Sequence, residues 1–290
     1  MKVRSLLKIS LLSAAFTLFS ASHTFADSRI LATGGASTIE GAAGGGIVPW
    51  AVLAGYGSGD EWGTAAFSTQ LRIEDYSLDT VGAAVSYNNR IELSYARQNF
   101  DLGTLGDALG MPGHRFRQDV FGMKYRLAGD LIFNRMPQIT LGLQHKKHLD
   151  FAVPTAVGAL RDSDNEIYLS AAKLWLAGLF DRNVFLNVTG RYSRANQAGL
   201  LGFGGDLNDD KELLLEASTG LFLTRKLALG VEYREHAENL GFSAQDDWHD
   251  VFVGYFVNKH LSLVGAFADL GTVATLPDQK GWYMSFAFAY

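Results

Sequence analysis

The 290-residue chain contains no cysteine, only 5 proline residues and, beyond its first 26 residues, no run of 18 apolar residues. The absence of cysteine excludes a disulfide framework, a cysteine-ligated metal site and a thiol nucleophile. The absence of a long apolar run excludes a membrane-spanning helix in the body of the chain. Because 48% of the residues are apolar and 19% are charged, with a net charge of −5, the chain resembles neither a disordered protein nor a nucleic-acid-binding protein.

The first 26 residues have the pattern of a secretory signal peptide. Lys2, Arg4 and Lys8 provide a basic start, and an apolar run extends over residues 9–19. This run is too short to span a bilayer as a helix, and it is followed by the small-residue cleavage pattern Thr24-Phe25-Ala26. We therefore predict an exported protein, cleaved before residue 27, whose net charge changes from −5 to −8 when the basic segment is removed.

Beyond this segment the hydrophobic pattern has a period of two. A typical segment, Ile91-Glu92-Leu93-Ser94-Tyr95, alternates apolar and polar residues, which places them on opposite faces of a β-strand. The segments are about 10–12 residues long, close to the length that crosses a bilayer at a tilt. Apolar faces of this length, with aromatic residues at the ends, favour lipid over a protein core as their contact.

The last ten residues carry the most specific single pattern. Large apolar side chains alternate with small or polar ones, and the chain stops on an aromatic residue; the stripe is Trp282, Met284, Phe286, Phe288 and Tyr290. This pattern resembles the terminal strand by which the barrel assembly machinery recognises bacterial outer-membrane barrels. A soluble protein with such a stripe on an edge strand would tend to aggregate. The sequence thus predicts an all-β fold, an antiparallel transmembrane β-barrel forming a single domain after the signal peptide.

The strand count depends on the N-terminal part of the mature chain. Alternation and turn residues predict strands at 47–57, 62–74, 77–87, 90–100, 116–128, 137–147, 164–176, 183–194, 211–223, 226–237, 247–257, 259–269 and 280–290. Barrels of this kind have an even number of strands, so these thirteen cannot be the final count. The glycine-rich segment 27–46 is either a further strand, which gives 14 strands, or a short plug, which leaves 12. The predicted organisation is a signal peptide at 1–26, this segment at 27–46 and the barrel at 47–290.

Charged residues on the polar strand faces are candidates for lining the lumen. They are Arg72, Glu74, Glu92, Lys124, Arg126, Lys146, Arg191, Glu212, Glu216, Glu232 and Arg234. Two interpretations remain open. Facing charges can form the constriction of a small passive channel for polar solutes, or they can pair with one another and close a structural barrel.

The remaining candidates are less specific. The run His145-Lys146-Lys147-His148 could bind lipopolysaccharide phosphates or be a solvated strand end. A membrane lipid hydrolase or acyltransferase is a further alternative, but no motif identifies a catalytic residue, a metal site or a cofactor. His249 and His260 are the histidines considered for it. The expected partners are outer-membrane lipids and lipopolysaccharide, the barrel assembly machinery and periplasmic chaperones, in the outer membrane of a Gram-negative bacterium.

Several stretches together resemble one known family. They are residues 33–46, 91–100, 117–120, 195–206 and 256–260. The chain is similar there to domain-of-unknown-function family 3034, a proteobacterial group of envelope proteins with signal peptides, and the resemblance extends over nearly all of the mature chain. It implies an envelope location. The family has no assigned activity, so it implies no catalytic or binding residue.

Overall fold

A computed structural model describes residues 29–290 and contains one closed antiparallel barrel of twelve strands. Two short paired strands, β1 (Ala36–Ser37) and β2 (Ala43–Gly44), precede it. The barrel strands are β3 (Trp62–Ile73), β4 (Ser77–Tyr87), β5 (Ile91–Asp101), β6 (Arg115–Ala128), β7 (Gln138–His148), β8 (Ser163–Leu179), β9 (Arg182–Ser193), β10 (Glu212–Phe222), β11 (Leu227–Arg234), β12 (Trp248–Phe256), β13 (Leu261–Asp269) and β14 (Lys280–Ala289). The barrel closes where β14 pairs with β3, from Gly281 opposite Ile73 to Ala289 opposite Ala65.

The two ends of the barrel differ in their connections. The end that holds Trp62 and Ala289 has mostly short turns, which is typical of the periplasmic end of such barrels, and we call it the periplasmic end. Most connections at the opposite, outer end are longer and contain helix α1 (Gly103–Ala108), helix α2 (Ala152–Ala156) and the 3-10 turn Asn196–Gly199. Within residues 29–290 no helix has the length and apolar character needed to cross a membrane.

The prediction of a strand at 47–57 is wrong, and the barrel begins at β3. Residues 36–57, which we call the plug, lie inside the lumen, and every one of them is buried. Residues 47–57 are all apolar, glycine or proline and show no alternation; in addition, Pro49 lacks the donor that a central strand needs, and Gly55 has a positive φ of 74°. The backbone groups of the plug are instead paired with side chains of the barrel wall. Trp50 and Tyr56, the two aromatic residues of the predicted strand, are consequently buried in the lumen.

The outward face of the barrel is apolar on most strands, with β3 as the exception. Phe67 of β3 points inward and packs against Ala96 and Val120, while Ser68 and Gln70 point outward. The prediction that Arg72 lines the lumen is wrong, because its parity places it on this outward face, where it pairs with a neighbouring strand. Alternation separates two faces of a strand, but it does not tell which face lies inside when the lumen itself holds an apolar cluster.

Candidate functional site

Seven of the predicted lumen residues lie on the inner wall, and each is at most 3% exposed. They are Glu92, Lys124, Lys146, Arg191, Glu216, Glu232 and Arg234. The structure places them around the plug in three groups of contacts, which we call the upper, middle and lower anchors. Together these anchors form the candidate functional site, because they hold the segment that occupies the lumen.

The upper anchor joins one plug carboxylate to three cations. Glu40 lies 2.5 Å from Nζ of Lys146, 2.8 Å from the guanidinium of Arg234 and 3.4 Å from that of Arg191. We call the three cations the basic cluster; they come from β7, β11 and β9 and are all buried. Ion pairs buried this deeply are hardly screened by salt. The anchor therefore fixes the plug near the outer half of the lumen.

The middle anchor is a clamp on the plug backbone. Nζ of Lys124 donates to the carbonyl oxygens of Ala43, Trp50 and Val52 at 2.5, 3.1 and 2.9 Å. The carboxylate of Glu92, which is 3.5 Å from Lys124, accepts the backbone N–H groups of Ala43 and Ala54 at 3.2 and 2.7 Å. One ion pair thus replaces the partners that the plug backbone would find in a sheet.

The lower anchor is Glu232 of β11. Its carboxylate accepts the backbone N–H groups of Gly46 and Ile47 at 2.6 and 2.8 Å and the indole N–H of Trp50 at 3.2 Å. The close approach requires glycine at position 45, since a Cβ there would overlap the Glu232 carboxylate. This explains in physical terms part of the glycine run at 44–46.

The outer mouth is covered by a second segment. Residues 195–205, which we call the outer cap, are all buried, and Lys146 donates to the carbonyl oxygen of Ala198 at 3.3 Å. Gln197 and Ala198 have φ values of 49° and 57°, a left-handed conformation that is costly for residues with a Cβ. The cap backbone is held in this strained form by its burial and by contacts such as that of Gln118 with Ala198.

The spaces between the plug and the wall are small. An apolar cavity of about 20 Å³ lies at the outer end near Leu71 and Trp248, and another of about 30 Å³ lies at the periplasmic end near Trp50 and Phe185. Each has room for roughly two water molecules at most. No water-filled path through the described part of the lumen is formed by these cavities.

The other predicted lining residues lie away from the anchors. Arg126 points inward at the periplasmic rim and contacts Asp130, and Glu212 is exposed at the outer rim next to Asn208. The prediction that Glu74 lines the lumen is wrong: it is exposed in the turn between β3 and β4, where strand parity no longer applies.

Three residues of the site were missed in the sequence. Glu40 lies in the glycine-rich segment, Glu166 lies in a stretch of alternating carboxylates, and Asp250 lies on a strand with a mixed inner face. Glu166 accepts from Arg191 and lies 2.8 Å from Lys146. The strand period could have found Glu166, since it shares the face of Tyr168, but no pattern in the sequence identifies Glu40.

The histidines singled out in the sequence have separate surroundings. His148 is buried and its Nε2 lies 3.0 Å from the carbonyl oxygen of Leu200, whereas His145 is exposed and contacts Asn165. His249 and His260, considered for an enzyme, lie against the rings of Tyr233 and Tyr290, at 5.4 and 5.0 Å between ring centroids. These contacts assign none of the four a chemical role.

Comparison with known proteins identifies a family and a fold. Residues 33–287 match the family model described as "Protein of unknown function (DUF3034)". No curated protein matches the chain. The KdgM porin is 10% identical, with 78% of this chain and 99% of that chain covered and a TM-score of 0.50. Omp33 of Acinetobacter baumannii is 10% identical (80% and 100% covered, TM-score 0.48), and outer membrane phospholipase A of Escherichia coli is 11% identical (79% and 92%, TM-score 0.42).

Proposed function

Because the chain belongs to the DUF3034 family, which has no described activity, we infer its function from its own structure: we propose that it is an outer-membrane channel for polar solutes that its plug closes at rest. The proposal keeps the channel interpretation of the lumen charges and adds a closed resting state. It assigns no catalytic residue.

One observation carries this proposal: side chains of the wall hold the backbone of a separate segment. Lys124 and Glu92 together make five hydrogen bonds to plug backbone atoms, and Glu232 makes two. A barrel that is closed only for structural reasons can fill its lumen with its own wall side chains. Here the wall behind the plug carries buried charged side chains, beside an apolar part at Phe185 and Phe252, so displacement of the plug would expose charged groups that water can wet.

The outer membrane is the location that fits the surface of the barrel. The outward faces of β14, β12 and β7 carry large exposed apolar side chains such as Phe286, Val251 and Leu141. Lipid covers such a band in an outer-membrane barrel, and a signal peptide would supply export. The predicted signal peptide at 1–26 lies outside the described residues. Under this proposal the partners are outer-membrane lipids, lipopolysaccharide, the barrel assembly machinery, which would recognise the β14 stripe, and periplasmic chaperones.

Single-channel conductance tests the proposal. The wild-type barrel and the double variant Glu40→Ala/Lys124→Met, which loses the upper and middle anchors, are purified folded and inserted into planar bilayers. We expect a silent wild type and repeated openings of the variant, because two of the three anchors are gone. A matched control, Lys147→Met, changes an outward-facing lysine of β7 and should stay silent.

Two results would contradict the proposal. A wild-type barrel with a large steady conductance would show that the plug does not close the lumen. A double variant that remains folded and never conducts would favour the alternative function, a closed structural barrel. The observation that favours this alternative is the outer cap, which covers the lumen independently of the plug.

A further inference from the structure

Glu40 is the only charged side chain among the plug residues 36–57, and it points into the basic cluster. Its carboxylate receives all three cations of that cluster within 3.4 Å, and it is 1% exposed. The remaining side chains of the plug are apolar or uncharged. The plug therefore offers this part of the wall a single carboxylate at the end of a short side chain.

The basic cluster has other partners, but they do not balance its charge. Glu166 pairs with Lys146 and Arg191 at 2.8 and 2.7 Å, and Glu216 pairs with Arg191 and Arg234 at 2.6 and 3.4 Å. Both carboxylates belong to barrel strands and remain in place when the plug moves. Three cations then face two carboxylates, which leaves one uncompensated positive charge where Glu40 was bound.

The cluster is held in position by contacts that do not involve the plug. The guanidinium of Arg191 lies 5.0 Å from the ring centroid of Tyr168 and donates to Gln144 at 2.6 Å. The guanidinium of Arg234 lies 5.8 Å from the ring of Trp248. Because these contacts come from the wall, the cations stay converged on the same point without Glu40. Planar guanidinium groups fixed in this way suit the two oxygens of a carboxylate.

We propose that Lys146, Arg191 and Arg234 form a carboxylate-binding site, which Glu40 fills in the closed state and a small carboxylate-bearing solute fills once the plug is displaced. That such a solute is transported rests on the proposed function, to which the site adds the chemical class of the solute. Glu40 is then an internal substitute for the ligand, and binding of a solute carboxylate competes directly with the upper anchor.

Chemical rescue of a Glu40→Ala variant tests the site. The full folded chain is heated in detergent and its unfolding is followed by gel mobility, in sodium acetate and in sodium chloride of equal ionic strength. The control is Glu232→Ala, which also removes a carboxylate that holds the plug, but from a position without a neighbouring cation. We expect acetate at ten times its dissociation constant to raise the melting temperature of Glu40→Ala by roughly 3–6 °C over chloride. The wild type and Glu232→Ala should not respond.

Equal melting temperatures of Glu40→Ala in acetate and chloride would overturn the site, and so would an equal rise in Glu232→Ala. If Glu40→Ala does not fold in chloride, the yield of folded protein in the two salts is compared, and equal yields, including none, overturn the site. Conductance of the double variant Glu40→Ala/Lys124→Met separates this inference from the proposed function. Rescue by acetate without conductance supports the carboxylate-binding site and contradicts the proposed channel. Conductance without rescue supports the channel and contradicts the carboxylate-binding site.

Discussion

Glu232 and Asp250 stand directly opposite each other on β11 and β12, with both side chains in the lumen and only 3% and 4% exposed. Among residues 29–290 no lysine, arginine or histidine nitrogen lies within 4.0 Å of either carboxylate. Glu232 is saturated by donors from the plug and from Ser218, while Oδ1 of Asp250 has no hydrogen-bond partner in the described chain. The lower anchor, Glu232, therefore lies beside a second buried carboxylate, and the pair has no counter-charge.

This pair makes Asp250→Asn a stabilising substitution. The amide has the same shape and cannot ionise, whereas the wild-type carboxylate must either be buried as an unpaired charge or hold a proton that the unfolded chain releases, so we expect the free energy of unfolding to rise by about 1–3 kcal/mol at neutral pH. The gain should grow as the pH rises, because that proton becomes harder to hold and the amide does not titrate. Urea titrations at several pH values measure it. Glu92→Gln, which removes a carboxylate paired with Lys124, serves as the control and should destabilise; a loss of stability in Asp250→Asn contradicts this account of the pair.

Lys124→Met should lower the free energy of unfolding strongly. The change removes three hydrogen bonds to the plug and leaves Glu92 buried without its cation, which typically costs about 3–5 kcal/mol. Lys147→Met lies one strand away on the outward face and should change stability by no more than about 0.5 kcal/mol. Heat-induced gel shifts of the two variants provide the comparison. Equal melting temperatures would mean that the middle anchor contributes nothing to the fold.

The strands were predictable and the plug was not, for physical reasons. Period-two alternation placed the barrel strands to within a few residues, because a wall that separates two environments must repeat every second residue. No alternation supports the strand predicted at 47–57, where every residue is apolar, glycine or proline, because the barrel wall surrounds this segment on all sides. On β3, Arg72 was assigned to the wrong side because alternation does not reveal which side is the lumen. The partners of Glu40 come from three separate strands, β7, β9 and β11, which no local pattern encodes.

The outward-facing polar residues of β3 lead to a prediction about which face of this strand contacts lipid. Gln70 points outward, and within residues 29–290 its side-chain amide makes no hydrogen bond. Polar groups that face hydrocarbon without a partner are costly, so Gln70→Leu should raise the free energy of unfolding in lipid vesicles by roughly 1–2 kcal/mol. The same substitution at Gln98, which donates to the plug carbonyl of Ile39 at 2.9 Å, should lower it. Changes of the same sign at both positions would contradict the assignment of faces.

His236 gives the barrel an acid-sensitive contact in the loop after β11. Burial, and after it repulsion from Arg234, holds the pKa of His236 well below its usual range. The ring lies tilted against that of Trp248, with 4.4 Å between the ring centroids. A histidine whose pKa is lower in the folded than in the unfolded chain must give up a proton when the chain folds below pH 6.5, its unfolded pKa being about 6.5. Its contribution to stability is therefore fully present above that pH and is lost as the pH falls below it. Stability should therefore decrease by up to about 1.4 kcal/mol per pH unit below pH 6.5. His236→Phe should reduce this slope, as measured by urea titration at pH 7, 6 and 5; an unchanged slope assigns it to other groups.

Thiol labelling measures directly whether the plug closes the lumen. The chain has no cysteine, so Ser37→Cys introduces a single thiol, isosteric with the native hydroxyl, at a position that is 3% exposed. In the wild-type background we expect a polar maleimide to label it at least 100-fold more slowly than a cysteine at Asp107, an exposed residue of helix α1 in the loop between β5 and β6, since release of the plug costs roughly 3 kcal/mol or more. Adding Glu40→Ala/Lys124→Met should bring the two rates close together. A Ser37→Cys thiol that reacts in the wild-type barrel as fast as the loop thiol would contradict the account, because the plug would then not close the lumen.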